Sequence, residues 1–365
     1  MSKNYGVYIH IPFCRSKCGY CAFVSLTDMS LRQAYVDVLL REIESCPESG
    51  SDVDTIYIGG GTPSCLYDGA ISSVLKKVYS TFKVDRNAEI TVECNPESAT
   101  QTFADECKSS GVNRISIGLQ SASDSILRSI GRVHDRARFI SALGILGSRF
   151  DNISSDIILG LPEQTVSDIE TAVKIISDNC THASVYALTV ENGTPLYRSG
   201  YTPDDDLIAE FYDRACDLLY AHGFERYEVS NFARSGKQSR HNNKYWACEP
   251  YIGFGVAAHG YDGNDIRYGH TDDVHEYLSA PLRKTVCLSD KDRYNEYVML
   301  RLRTECGIDR NAFCGRFGYD FIDRNATILK KMEKDGLIIC NGETVRISPK
   351  YMFVMNGIIE ELMLD

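Results

Sequence analysis

From residue 5 to about residue 230, short β-branched runs alternate with longer stretches of helical periodicity. That alternation is the signature of repeated βα units around a parallel sheet. The runs predict six strands, at Gly6–Ile11, Thr55–Ile58, Glu89–Glu93, Arg114–Ile117, Asn152–Ile158 and Ala183–Leu188. A shorter run at Arg226–Ser230 is a candidate to close one edge. Between the strands, the spacing of apolar residues predicts helices such as Leu31–Ser45, Ile71–Phe82, Thr102–Ser109 and Val166–Ser177.

Beyond residue 230 the chain becomes rich in Gly, Asn, Tyr and His and loses clear periodicity, which predicts an irregular segment over 231–289 packed on a core of residues 1–230. From Asp290 the pattern turns helical again. Gly336 to Ser348 then reads as two strands around Asn341-Gly342, a strong hairpin signal. Helices followed by a hairpin predict a small winged-helix-like α+β accessory domain over 290–365. A winged helix invites a DNA-binding reading, but residues 290–365 carry 12 Lys/Arg against 13 Asp/Glu and no basic recognition helix, so a packing module is expected and no nucleic-acid partner.

Composition narrows the function classes. The 365 residues, 43% hydrophobic and 24% charged, suffice for a full core and a second, smaller domain. The net charge of −11 argues against general affinity for phosphate backbones or anionic membranes. The start of the chain shows no apolar signal core, and no later run approaches the roughly 20 residues of a transmembrane segment, so a cytoplasmic protein is expected. Eleven of the 14 cysteines lie scattered at irregular spacing, most in apolar surroundings, as buried free thiols do in a reducing compartment.

The other three are Cys14, Cys18 and Cys21, in a loop directly after the first strand. Four protein ligands complete a structural zinc or a fully protein-ligated iron-sulfur cluster, whereas three thiolates on a cubane leave one iron open. The alternative is a zinc-stabilised binding protein whose site is completed by a distant ligand such as His10. Other polar punctuation also follows strands: Gly59-Gly60-Gly61-Thr62-Pro63, Asn95-Pro96, Gln120-Ser121 and Gly160-Leu161-Pro162. In a parallel α/β fold those strand ends form one ligand-binding face. The glycine run suits close backbone approach to a ligand, and it lacks the Gly-Lys-Ser/Thr ending of a phosphate loop.

The C-x-x-x-C-x-x-C spacing of Cys14, Cys18 and Cys21 resembles the signature of the radical S-adenosylmethionine (SAM) superfamily. The resemblance implies a partial (β/α)6 TIM-like barrel, a 4Fe-4S cluster on the three cysteines, and SAM chelating the open iron, where an electron from the cluster cleaves it to a 5′-deoxyadenosyl radical. By position, further residues are similar to those of the coproporphyrinogen oxidase-like branch. Gly60, Gly61 and Thr62 would contact the methionine end of SAM, and Glu93 and Asp156 its ribose. Gln120 and Arg132 would supply polar contacts, with Arg132 suited to a carboxylate. Tyr8 would be a SAM-contacting tyrosine, Tyr20 an aromatic inside the cluster loop, and Ala187 and Leu188 adenine-side contacts.

That branch holds oxygen-independent coproporphyrinogen III oxidases and heme chaperones of the HemW type. The oxidases carry a further cysteine two residues after the third, where this chain has Phe23, and an N-terminal arm before the first strand; both departures disfavour the oxidase. Ala22 also departs, standing where the chaperones often carry an acidic residue. Arg240 to Trp246 reproduces the H-N-x-x-Y-W motif associated with heme binding in the chaperones, which makes His241 the candidate heme ligand. The plainer reading is a structural loop anchored by Trp246, the only tryptophan. The expected function is a heme chaperone that passes heme to an acceptor protein, with an electron-donor protein as a further partner if radical chemistry occurs. The alternative is a porphyrin-modifying enzyme, either a coproporphyrinogen decarboxylase or a heme degrader.

Overall fold

The computed structural model of the chain describes residues 4–364. Six strands pair side by side in chain order, every pair parallel: β1 (Tyr5–Ile11), β2 (Asp52–Gly60), β3 (Lys83–Cys94), β4 (Arg114–Gln120), β5 (Ile153–Leu159) and β6 (His182–Ala187). Helices connect them, among them Arg32–Glu44, Ala70–Thr81, Gln101–Ser109, Arg136–Gly147 and Val166–Asn179, and Asp205–Ala221 follows β6. Thr100, Asp135, Thr165 and Asp204 open four of these helices, each side chain accepting the backbone N–H three residues on.

The strands alternate. Val7, Ile9 and Ile11, Ile56 and Ile58, Ile90 and Val92, and Ile115 and Ile117 are buried in the main apolar core with the helices. The residues between them place polar side chains on the other face, where the register sets Thr55 beside Glu89, Thr91 beside Arg114, Glu93 beside Ser116 and Gly118 beside Asp156. The concave face is therefore built for polar chemistry rather than aliphatic packing.

Further strands, all antiparallel to their neighbours except β9, extend both edges into a twelve-stranded mixed sheet that remains open. Beyond β6 lie β8 (Asn231–Ala233) and then β7 (Glu225–Arg226), so the single edge strand expected at Arg226–Ser230 is a short hairpin instead. Beyond β1 comes β9 (Tyr251–Phe254), parallel to it, followed by β10 (His259–Tyr261), β11 (Ile266–His270) and β12 (Arg283–Cys287). The segment expected to be irregular is thus largely regular. Its periodicity was erased by glycines: a Cβ at Gly260 would lie 2.1 Å from the Tyr268 ring, and one at Gly253 1.9 Å from His259 O. A buried Glu42 ties this extension to the core, accepting from Tyr277 Oη at 2.6 Å and Gly255 N at 3.1 Å, with His270 Nε2 at 3.0 Å.

Toward the C-terminus, helices Asp290–Arg301, Arg310–Phe317 and Ala326–Lys334 pack on a three-stranded sheet of β13 (Ile308–Asp309), β14 (Ile338–Cys340) and β15 (Thr344–Ile347). The predicted hairpin is β14–β15, paired antiparallel. Tyr294, Val298, Phe313, Met332 and Ile347 belong to a separate apolar core. Arg226 joins it to the main sheet through Glu305 at 2.6 Å, alongside main-chain bonds from Val229 N to Arg303 O and Glu305 N to Tyr227 O. No helix among the described residues is long and apolar enough to cross a membrane.

Candidate functional site

The C-terminal ends of the parallel strands surround a cavity of about 520 Å³. Cys14, Cys18 and Cys21 all line it, each half-buried and unpaired. Backbone bonds fix their loop on three sides: Cys14 N to Leu26 O at 2.9 Å, Gly19 N to Ile130 O at 2.8 Å, and Leu196 N to Gly19 O at 2.9 Å. Burial pushes the Cys14 thiol up to about 11, Thr62 pulls it down through a hydrogen bond, and Cys21 and Cys18 add to the rise. Burial raises Cys21 as well, and thiols that resist ionisation alone are suited to a cationic metal core, which would supply the missing positive charge. Among the described residues no three His, Cys, Asp or Glu side chains converge closely enough to hold a metal ion in this arrangement.

Gly59, Gly60 and Gly61 pack against Glu93 and the end of β1, just before this loop. A Cβ at Gly59 would meet the Glu93 carboxylate at 2.7 Å, one at Gly60, where φ is 104°, the His10 ring at 2.4 Å, and one at Gly61 the Ile11 carbonyl at 2.7 Å. The run therefore serves first to bring the end of β1 and Glu93 close, while Gly60 and Gly61 still line the cavity. Thr62 N donates to Phe13 O at 2.7 Å, and Thr62 Oγ1 lies 3.4 Å from Cys14 Sγ.

Asn95 extends that contact. Its Nδ2 donates to Thr62 Oγ1 at 2.9 Å, and its Oδ1 accepts Arg132 Nη2 at 2.9 Å. Arg132 Nη2 also donates to Gly118 O at 3.2 Å, while its Nη1 lies 3.7 Å from Cys18 Sγ. The guanidinium is fixed on two sides, but its buried Nε has no partner, an open donor beside the cavity. Asn95 was not singled out from the sequence; its only signal was the polar pair Asn95-Pro96 at a strand end.

Glu93 and Asp156 both line the cavity. Tyr57 Oη donates to Glu93 Oε1 at 2.5 Å and Gly60 N to Oε2 at 3.0 Å. Burial raises Glu93 to about 7, with Asp156 adding to the rise and Arg114 opposing it. Burial also raises Asp156, against a hydrogen bond from Ser184 and the charges of Arg114 and Arg132. Gln120 lines the cavity with φ at 66°, a strained backbone for a residue with a side chain, and Gly118 leaves the space that its amide fills. Tyr20, Ala187 and Leu188 complete the apolar side of the lining, and Phe23 stands 66% exposed at the rim.

Two expected site residues lie elsewhere. Tyr8 is not among the lining residues; its hydroxyl meets His10 Nδ1 at 3.0 Å and its ring stacks with Tyr57. His241, on the helix Arg240–Trp246, is fully buried beside the early strand residues. Its Nδ1 pairs with Thr55 Oγ1 at 2.9 Å and its Nε2 with Tyr245 Oη at 2.8 Å, so neither ring nitrogen is free to meet an iron in this arrangement. Burial, with help from Lys244 and Arg114, pushes the imidazole down to about 3, so it is neutral. Asn243, Lys244 and Trp246 of the same helix line a separate cavity of about 400 Å³ with Arg226, Arg301 and Cys306.

The comparisons with known proteins agree with this architecture. Residues 8–176 match the Radical SAM superfamily and residues 288–354 the HemN C-terminal domain. "Heme chaperone HemW" of Bacillus subtilis is 34% identical, covering 91% of this chain and 92% of that protein; the Lactococcus lactis protein of the same name is 32% identical over 100% and 99%. Mouse "Radical S-adenosyl methionine domain-containing protein 1, mitochondrial" is 33% identical over 84% of this chain and 75% of its own length. The solved coproporphyrinogen III oxidase HemN of Escherichia coli superposes with a TM-score of 0.86 over 99% of this chain and 90% of its own; at 21% identity the likeness is one of fold. The chain therefore belongs to the HemW family of the radical SAM superfamily.

Proposed function

We propose that this chain is a heme chaperone that binds heme and passes it to an acceptor protein, with a 4Fe-4S cluster on Cys14, Cys18 and Cys21 and an exchangeable SAM in the cavity beside it. The observation that carries the reading is the convergence of three unpaired thiols, a fixed arginine and two carboxylates on one cavity, in a chain aligned over 91% and 100% of its length with two relatives named as heme chaperones. A bound cluster and SAM would supply one-electron chemistry at this face.

The remaining tasks belong to the chain. Thr62, Asn95 and Arg132 fix the loop's polar surroundings, and the unpartnered Arg132 Nε offers a donor to a carboxylate. Glu93 and Asp156 accept ribose hydroxyls, Gln120 offers an amide, and Tyr20 and Leu188 exclude water from the apolar side. Tyr8 supports this floor from behind, through His10 and Tyr57. His241 as heme ligand requires the helix Arg240–Trp246 to release one of its two ring bonds. The heme acceptor and an electron-donor protein complete the reading.

Anaerobic reconstitution tests it: iron and sulfide uptake with a visible spectrum that responds to SAM supports the assignment, and stoichiometric zinc without that spectrum overturns it. The same preparation then decides between heme handling and porphyrin modification.

A further inference from the structure

Glu93 opens onto the cavity, and Tyr57 stands behind it without lining the cavity itself. The Tyr57 hydroxyl donates to Glu93 Oε1 at 2.5 Å, while its ring stacks on the His241 imidazole with centroids 5.4 Å apart and planes 30° from parallel. His241 is locked in turn by Thr55 and Tyr245, at 2.9 and 2.8 Å. One side chain thus bridges a carboxylate of the cavity and the helix Arg240–Trp246, which borders a different cavity.

We propose that Tyr57 is a positioning residue that sets the Glu93 carboxylate for the hydroxyls of a bound nucleoside and carries the occupancy of that cavity to the helix Arg240–Trp246. The proposal rests on reading the cavity as a SAM site. A ligand hydroxyl that donates to Glu93 competes for the lone pairs Tyr57 uses. A buried phenol is held to its acceptor, because leaving its hydroxyl unpaired is unfavourable. The ring is also flanked by the Tyr8 ring at 6.2 Å on one side and the His241 ring on the other, so a shift of the carboxylate turns the Tyr57 ring against His241. His241 cannot move without disturbing its bonds to Thr55 and to Tyr245, the residue next to Trp246. Linkage makes the effect reciprocal: loosening the helix changes the affinity of the cavity by the same factor.

Trp246, the only tryptophan, is a built-in reporter on that helix. The test titrates SAM into anaerobically reconstituted protein, following bound SAM by equilibrium dialysis and Trp246 by its emission. In the wild type, emission should shift along the same isotherm as binding. Tyr57→Phe keeps the stacked ring but removes the bond to Glu93; it should bind SAM several-fold more weakly and leave Trp246 emission unchanged at saturation. SAM binding with no emission change in the wild type, or the same change in Tyr57→Phe, overturns the relay while leaving the SAM site intact. Failure of SAM to bind at all sinks the reading of the cavity, and the relay with it.

Discussion

The Arg132 guanidinium donates to Asn95 Oδ1 at 2.9 Å, and through Asn95 it is linked to Thr62 and so to Cys14. Its other amino group lies 3.7 Å from Cys18. A polar strut therefore runs across the cysteine loop from one cysteine to another, assembled from Thr62 and Asn95 at two strand ends and from Arg132, which follows the helix Asp124–Ser129.

Breaking the strut should damage ligand binding more than folding. Asn95→Ala frees both Thr62 and Arg132, and loss of a charge-assisted bond predicts about a tenfold or greater rise in the dissociation constant for SAM. Equilibrium dialysis measures it, and a melting temperature within a few degrees of wild type separates the effect from unfolding. An unchanged SAM affinity would remove Asn95 from the site.

The cysteines make a sharper prediction. Single changes Cys14→Ala, Cys18→Ala and Cys21→Ala should each abolish stable uptake of about four irons and about four sulfides per chain, and a control change of the exposed Cys287 should not. Iron and sulfide analysis after anaerobic reconstitution reads the outcome. Full loading of any of the three variants would contradict the assignment.

Glu93 predicts opposite pH trends for stability and for binding. Its carboxyl is raised from 4.5 to about 7, mainly by burial, so the folded state prefers the protonated form. The stability this gives is complete below 4.5 and is lost as the pH rises through about 7. Ribose hydroxyls prefer the ionised acceptor, so SAM affinity should strengthen across the same interval. In Glu93→Gln both trends should flatten, measured by denaturant melts and SAM titrations over a pH series.

His241 behaves in the reverse sense. Its pKa is lowered from 6.5 to about 3 by burial, so its contribution is present above 6.5 and lost as the pH falls toward 3. His241→Ala leaves a void and two unpaired hydroxyls, with an expected loss of about 2–4 kcal/mol. A loss of heme binding in that variant is meaningful only beside His241→Asn, which retains a polar group for Thr55. Heme retained by both variants would rule out His241 as the ligand.

Much of this was legible in the sequence. The six parallel strands and the C-terminal hairpin follow from apolar runs and the Asn341-Gly342 turn, because local chemistry fixes both. Cys14, Cys18, Cys21, Gly60, Gly61, Thr62, Glu93, Gln120, Arg132 and Asp156 were expected on one face and do share one cavity. The extension beyond β1 was hidden because Gly253, Gly260 and Gly269 remove side chains where strands and rings approach closely. Asn95 was missed because its role depends on Arg132 and Thr62, far away in sequence. The enclosure of His241 was equally unreadable, since its partner Thr55 comes 186 residues earlier.

The most direct measurement of the central claim is a hemin titration of the cluster-loaded chain, run beside an assay for decarboxylated product from coproporphyrinogen III. The account predicts a saturable Soret shift near one heme per chain, transferable to an apo-hemoprotein, with no product formed. Catalytic product formation, or no saturable Soret change, would contradict it.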